Sequence, residues 1–209
     1  MKTIIYTSCF ALFITGTVSA QETQHLALDI GGGWTQSVGS TGRNLDNGWN
    51  VGGGIGWNFS PYVGALVQTN YNSMGINSTT LNSVGFPGGD VHIFSATLDP
   101  IVHLHPRGRF DAYIVGGGGL YHVTQQFTAP SIATVTGFDP FFGFFTAGIP
   151  TTEVLSSNSV NKPGANIGMG VALGSKWHAK FYAEARWNHV FMNNNQHIDY
   201  VPVTFGVRW

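Results

Sequence analysis

The run from Tyr200 to Trp209, YVPVTFGVRW, constrains the fold more than any other stretch. Taken in steps of two, Val201, Val203, Phe205, Val207 and Trp209 share one face. Tyr200, Pro202, Thr204, Gly206 and Arg208 share the other. Strict alternation of this kind is the signature of a β-strand, because successive side chains leave a strand on opposite sides. The strand ends on an aromatic residue at the chain terminus. A soluble domain has little use for a Trp there, whereas a strand that crosses a bilayer ends in an interfacial belt of aromatic side chains.

Composition points the same way. Charged residues are 9% of the chain, against about 25% in an average soluble domain. Mean hydropathy is +0.06, yet beyond Ala20 no run reaches the ~20 apolar residues that a membrane helix needs. Alternating strands reconcile the two facts, since they spread apolar residues thinly along the chain. The 29 glycines follow no three-residue period, which excludes collagen. Aromatics at 13% argue against a disordered linker. The net charge of −1, with no basic cluster, gives no reason to expect a nucleic-acid partner.

The N-terminus reads as an export signal. Met1-Lys2 is a short positive start, Ile4 to Ile14 is mostly apolar, and Val18-Ser19-Ala20 offers small residues for cleavage. The expected organisation is a signal peptide over 1–20 and one barrel domain over 21–209. The single cysteine, Cys9, falls inside that signal, so the exported chain needs no disulfide framework.

Along the chain, period-two alternation predicts eight strands. They run from His25 to Trp34, Gly48 to Phe59, Tyr62 to Asn72, Asp90 to Leu104, Arg109 to Val123, Ala165 to Ser175, about Lys180 to Phe191, and Tyr200 to Trp209. The connections alternate in length. Thr35 to Asn47, Ser73 to Gly89 and Thr124 to Gly164 read as long loops, and Asn193 to Asp199 as a moderate one. Ser60-Pro61, His105 to Gly108 and Lys176 to Ala179 read as tight turns, on the same end as both termini. Gly116 to Gly119 suits a bend or a close approach of backbones.

With the run KFYAEARW (Lys180 to Trp187) and the terminal VPVTFGVRW, the chain from Gln21 to Trp209 resembles the small eight-stranded outer-membrane barrels of the OmpA, OmpX and OmpW kind. The resemblance implies an all-β fold: an eight-stranded, antiparallel, up-and-down transmembrane β-barrel in the bacterial outer membrane. It implies short periplasmic turns and longer external loops, contact with outer-membrane lipid and lipopolysaccharide, and recognition of the C-terminal strand (Val203, Phe205, Val207, Trp209) by the barrel-assembly machinery. The long third loop departs from the smallest members, and no peptidoglycan-binding domain is expected after the barrel. The fold rival is a soluble lipocalin-like barrel, which would turn its apolar face inward.

Two groups of residues stand out. Asp29, Asp99, Asp111, Glu184, Arg186 and Arg208 all fall on the inward rows. An eight-stranded barrel is only wide enough for side chains to fill it, and buried charges must pair. Carboxylates from this set are therefore expected around Arg186 and Arg208, as a salt-bridged plug or as a gated pore lining. The second group is Phe138, Phe141, Phe142, Phe144 and Phe145 in the third loop, too apolar to remain solvated singly. Either the strands extend above the membrane and these rings pack there on one another, or the rings form a contact surface or lid for lipid, lipopolysaccharide or a small apolar solute.

Other chemistry is weakly signalled. His103 and His105 share a face, but two imidazoles without further ligands do not make a metal site. His92 with Ser95, and His122 with Thr124, do not specify a hydrolytic triad, and no G-x-S-x-G is present. The glycine clusters lie in strands, outside any strand–loop–helix context for a nucleotide. No catalytic residue, metal or cofactor is assigned. The sequence leaves three functions: a structural or surface-interaction barrel acting through external loops, a narrow channel for small or apolar solutes, and, last, a lipid enzyme.

Overall fold

A computed structural model describes residues 26–106, 108–174, 179–194 and 196–209. It contains β1 (Leu26–Ser37), β2 (Leu45–Asn58), β3 (Val63–Ile76), β4 (Gly88–His103), β5 (Phe110–Asp139), β6 (Gly143–Gly174), β7 (Lys180–Phe191) and β8 (His197–Arg208). The eight strands follow one another around a closed antiparallel barrel. β8 meets β1 with Asp29 opposite Arg208 and Ile30 opposite Val207. Past the strand end the amide of Leu28 donates to the carbonyl of Trp209 (3.1 Å), and the amide of Trp209 donates to that of Leu28 (2.8 Å). The last residue thus completes the hydrogen-bonded ring. The proposed export signal, residues 1–20, lies outside the described residues, as does most of the turn expected at Lys176 to Ala179.

Alternation decides which side faces out. Leu28, Ile30, Ile55, Val67, Leu98, Ile114, Ile167, Met169 and Phe205 are exposed on the outer wall, while their neighbours in the strands point inward. An apolar exterior around a polar interior is the inverse of a lipocalin and suits a lipid solvent. Aromatic side chains mark two levels. Trp57, Phe59, Tyr62, Phe110, Phe181 and Trp209 are exposed near the end that carries the termini. Trp34, Trp49, Phe94 and Trp187 are exposed at the other level, where Trp34 lies 5.6 Å from Phe205 and Trp49 5.4 Å from Tyr71. On β2, Trp49 and Trp57 are separated by roughly 26 Å of strand. Tilted as barrel strands are, that spans close to the ~25 Å apolar band of an outer-membrane barrel.

The strands are longer than alternation alone predicts. β1 continues through Ser37, and β2 begins at Leu45, so the loop expected over 35–47 shrinks to a connection with a 3-10 turn at Thr41–Arg43. The loop expected over 73–89 becomes the ends of β3 and β4 plus a short helix, α1 (Ser78–Val84). Asn77 caps that helix by accepting from the amide of Thr79 (2.9 Å), and Gly85 ends it at φ 76° in the left-handed region. Leu81 of α1 belongs to the apolar cluster that includes Met74, Ile76, Val91, Ile93 and Val123 at this end of the barrel. β8 starts at His197, inside the expected Asn193–Asp199 loop.

The largest correction concerns residues 124–164. They form no loop: β5 and β6 stay in antiparallel register to Asp139 opposite Gly143, with one irregularity at Phe127/Thr128. β4 leaves β5 at Thr128, and β7 leaves β6 at Gly164. From Ala129 onward β5 pairs only with β6, so a two-stranded arm projects roughly 35 Å beyond the last rung shared with β4.

Inside the barrel, several large side chains lie across glycines on the adjoining strand. Tyr113 pairs with Gly170, Tyr182 with Gly206, and Arg186 with Gly168. A Cβ on Gly170 would sit 2.5 Å from the Tyr113 hydroxyl. A Gly170→Val substitution is therefore expected to displace Tyr113 and destabilise the barrel by about 1–3 kcal/mol. The unfolding midpoint of the heat-modifiable band measures it, and an unchanged midpoint would contradict this packing.

Candidate functional site

The inward rows stack in layers along the barrel axis. At the end carrying the termini is an open cup of 380 Å³, bordered by Leu26, Phe59, His103, Asp111, Lys180 and Trp209. Next come Leu66, Ile101, Tyr113, Val115, Ala172 and Tyr182, all buried. A layer of charge follows. An apolar layer lies toward the opposite end, with Tyr121 and Tyr200 fully buried in it. Above that layer a second cup, of 630 Å³, is bordered by Leu45, Ile76, Val91, Val123, Val160 and Met192, with Thr80, Gln125, Asn158 and His197 among its polar residues.

All six charged residues expected to face inward are buried: Asp29, Asp99, Asp111, Glu184, Arg186 and Arg208. Arg186 is the hub. Its Nη1 donates to Asp99 Oδ2 (2.6 Å), and its Nη2 and Nε both donate to Glu184 Oε1 (2.6 and 3.0 Å). Asp99 also accepts from Thr97 Oγ1 (2.7 Å) and Asn166 Nδ2 (2.8 Å). Gly117 is adjacent, and a Cβ there would stand 2.6 Å from Asp99 Oδ1. The glycine run expected to permit close approach thus makes room for a carboxylate and the neighbouring strand.

Arg208 is held differently. Its guanidinium lies between the rings of Tyr113 (4.9 Å) and Tyr182 (5.0 Å), an arrangement in which both ring faces attract the cation. Its nearest carboxylate is Asp29, at 3.8 Å, and Asp29 accepts from Gln68 Nε2 (3.2 Å). Asp111 does not join either arginine. It lies at the mouth, where His103 Nδ1 approaches its Oδ2 (2.6 Å), the amide of His105 donates to its Oδ1 (3.2 Å), and Lys180 stands 4.0 Å away. Carboxylates of the expected set thus lie at both arginines, Asp99 and Glu184 at Arg186 and Asp29 at Arg208, while Asp111 stands apart. Parity places a residue on the lumen side but not at a depth, and Asp111 is near the start of its strand.

A cavity of 20 Å³ lies between Asp29, Gln68, Asn72, Tyr182, Glu184 and Arg186, room for about one water molecule.

The terminal row sits as β8 requires. Phe205 and Trp209 are exposed on the outer wall, and Val203 and Val207 lie half-buried between them. The histidines that sequence reading paired with hydroxyls separate. His92 points outward and reaches Ser73 (3.1 Å), whereas Ser95 is buried in the lumen. His122 bonds Asn161 (2.7 Å), and Thr124 bonds Ser159 (2.9 Å). The imidazole of His103 meets Asp111, and His105 reaches the same carboxylate only through its backbone amide.

The aromatic group lies at the far end of the arm. Phe138 and Phe144 face each other across the ladder, ring centroids 5.1 Å apart. Phe145 crosses Gly137 on the opposite face. Phe141 and Phe142 sit in the connection itself and are 91% and 89% exposed. The rings therefore pack only in part, and most of their surface remains open.

Substituting Arg186 by Met leaves the buried carboxylates of Asp99 and Glu184 without their shared cation. Losing one partner of a buried ion pair destabilises by about 3–5 kcal/mol. The expected outcome is a lower urea midpoint in lipid for Arg186→Met, with recovery when Asp99→Asn and Glu184→Gln are added. A single variant as stable as the parent would show that the network holds nothing in place.

Comparison with known proteins agrees with this architecture. Residues 8–209 match the family described as outer membrane protein beta-barrel domain. Neisserial surface protein A is similar in fold, with a TM-score of 0.57 at 13% identity over 88% of this chain and 96% of that one. A major outer membrane protein of Thermus thermophilus is similar too, with a TM-score of 0.55 at 8% identity over 88% of this chain and 97% of that one. No curated protein sequence matches the chain. The apolar outer wall, the two aromatic levels and the family match lead to one conclusion: the chain belongs to the outer-membrane β-barrel family and is an integral protein of the bacterial outer membrane.

Proposed function

We propose that the barrel is a non-conducting support and that the protein acts outside the membrane, through the β5–β6 arm, as a surface-interaction protein. One observation carries the reading: two barrel strands continue as a paired arm far beyond the wall, with a cluster of exposed phenylalanines at its tip. A connection with no role outside the barrel has no need of this length.

The lumen supports the same reading. Arg186, Asp99, Glu184 and Asn166 are bonded together across the middle layer, and an apolar layer that includes Leu81 of α1 lies toward the end near the arm. In this reading the network is a plug, and the two end cups are surface features separated by it. The short connections and both chain ends face the periplasm, and the arm faces out. Lipid and lipopolysaccharide surround the aromatic levels. β8, with Val203, Phe205, Val207 and Trp209 on its outer side, is the strand offered to the assembly machinery after export by the signal at 1–20. No catalytic role is assigned.

The test replaces residues 129–153 by Asn-Gly, which joins Thr128 to its partner Val154 through a two-residue turn. Cells displaying either form are then assayed for retention on an alkyl-silane surface, a serum-protein coating and a supported phosphatidylcholine bilayer. The expected outcome is an intact heat-modifiable barrel that loses retention on at least one coating. Equal retention of both forms on all three would overturn the reading. In planar bilayers the refolded full chain is expected to give no discrete openings, and steady unitary currents would replace the plug with a pore.

A further inference from the structure

Resting on the arm as the contact element, we infer that its tip is a lipid-inserting anchor, which buries Phe138, Phe141, Phe142, Phe144 and Phe145 in a bilayer other than the one the barrel spans. Three observations select lipid over a protein partner.

The first is the direction of the rings. Phe138 and Phe144 lie on one face of the hairpin, Phe145 on the other, and Phe141 and Phe142 at the apex. A protein surface is met by one face of an element, as when an edge or a groove is filled. Apolar side chains that leave a tip on every side fit a medium that is apolar on every side. The exposed ring surface totals roughly 700 Å² at ~200 Å² for each side chain. The largest apolar patch on an ordinary monomer is about 300–600 Å².

The second is the backbone. Entry into hydrocarbon requires that amide hydrogens be bonded within the inserting segment. At this tip Pro140 has no amide hydrogen, and the amides of Phe141 and Phe142 both donate to Asp139 Oδ1 (2.7 and 3.0 Å). Gly143, at φ 80°, takes the left-handed conformation that closes the turn onto Asp139. Within the connection itself, Phe141 and Phe142 therefore leave no amide unbonded when their rings leave water.

The third is charge and reach. Between Ala129 and Glu153 the arm carries only Asp139 and Glu153, with no basic residue, so nothing in it is built to grip phosphates. The arm's length sets the tip beyond the headgroup layer of its own membrane, and the apolar contact it offers is to a facing bilayer.

The experiment places the full-length protein in nanodiscs and mixes it with sucrose-loaded phosphatidylcholine vesicles. Expected are co-sedimentation with the vesicles that does not weaken between about 0.1 and about 1 M salt, where charge contacts are screened away, and a tenfold or greater loss for the double variant Phe141→Ser, Phe142→Ser. Both residues are exposed, and the heat-modifiable band reports that the barrel still forms. In a Phe142→Trp variant, brominated lipid confined to the vesicles is expected to quench the new fluorescence. Equal co-sedimentation of the double-serine variant, absence of quenching, or association only with vesicles that also carry the protein would overturn lipid insertion; the last would indicate pairing between arms. Arm-dependent retention of cells on serum protein but not on the phosphatidylcholine bilayer would overturn it while leaving the arm's contact role standing.

Discussion

Everything in this molecule depends on the closure of β1 onto β8. A bilayer offers no water to an unpaired strand edge, so an outer-membrane sheet must meet itself. Closure runs from Ser37 opposite Tyr200 to the reciprocal bonds between Leu28 and Trp209 at the chain end. With eight strands, that ring encloses a bore that side chains can fill. The interior charges are then drawn to one another and to the ring faces, although the three guanidinium nitrogens of Arg208 find no hydrogen-bond partner among the described residues. Arg186 between Asp99 and Glu184, and Arg208 between two tyrosines, follow from the ring as much as from their own chemistry.

The same constraint explains which parts of the structure are legible in the sequence. Within the membrane, lipid selects apolar residues on the outer face of every strand, so Leu28, Ile30, Val67 and Leu98 announce their side by position alone. The six lumen charges fall inside on this basis. Beyond the lipid that selection lapses. Thr35 to Ser37, Ser73 to Ile76 and the arm past Thr128 are strands without a continuous apolar outer row, and they read as loops. α1 is hidden too, although Asn77 and Gly85 are the residues that cap it. Seven residues are too few for a helical period to emerge.

The partners of the charges are less legible than their side. Period two assigns a face, but the depth at which strands are staggered decides who meets whom. Glu184 and Arg186 are two apart on β7 and meet by local geometry, while Asp99 comes from across the barrel. Asp111, at the start of β5, lies too near the mouth to reach either arginine and turns to His103. The tyrosine sandwich around Arg208 has a visible trace in the glycines opposite Tyr113 and Tyr182, since only a missing side chain lets a ring cross the bore.

The arm is attached to the barrel by both of its strands. β5 and β6 run from the wall to the tip with one irregularity, at Phe127/Thr128 where β4 ends, and inside the wall each is bonded to another strand as well. Backbone hydrogen bonds in an antiparallel pair lie across the strand direction. A pull on the tip away from the membrane therefore loads the rungs in shear, many together, instead of opening them one after another. The mechanical consequence is a stiff tether whose grip on its own membrane is set by the whole barrel wall, so that under traction the far contact gives way before the anchor does.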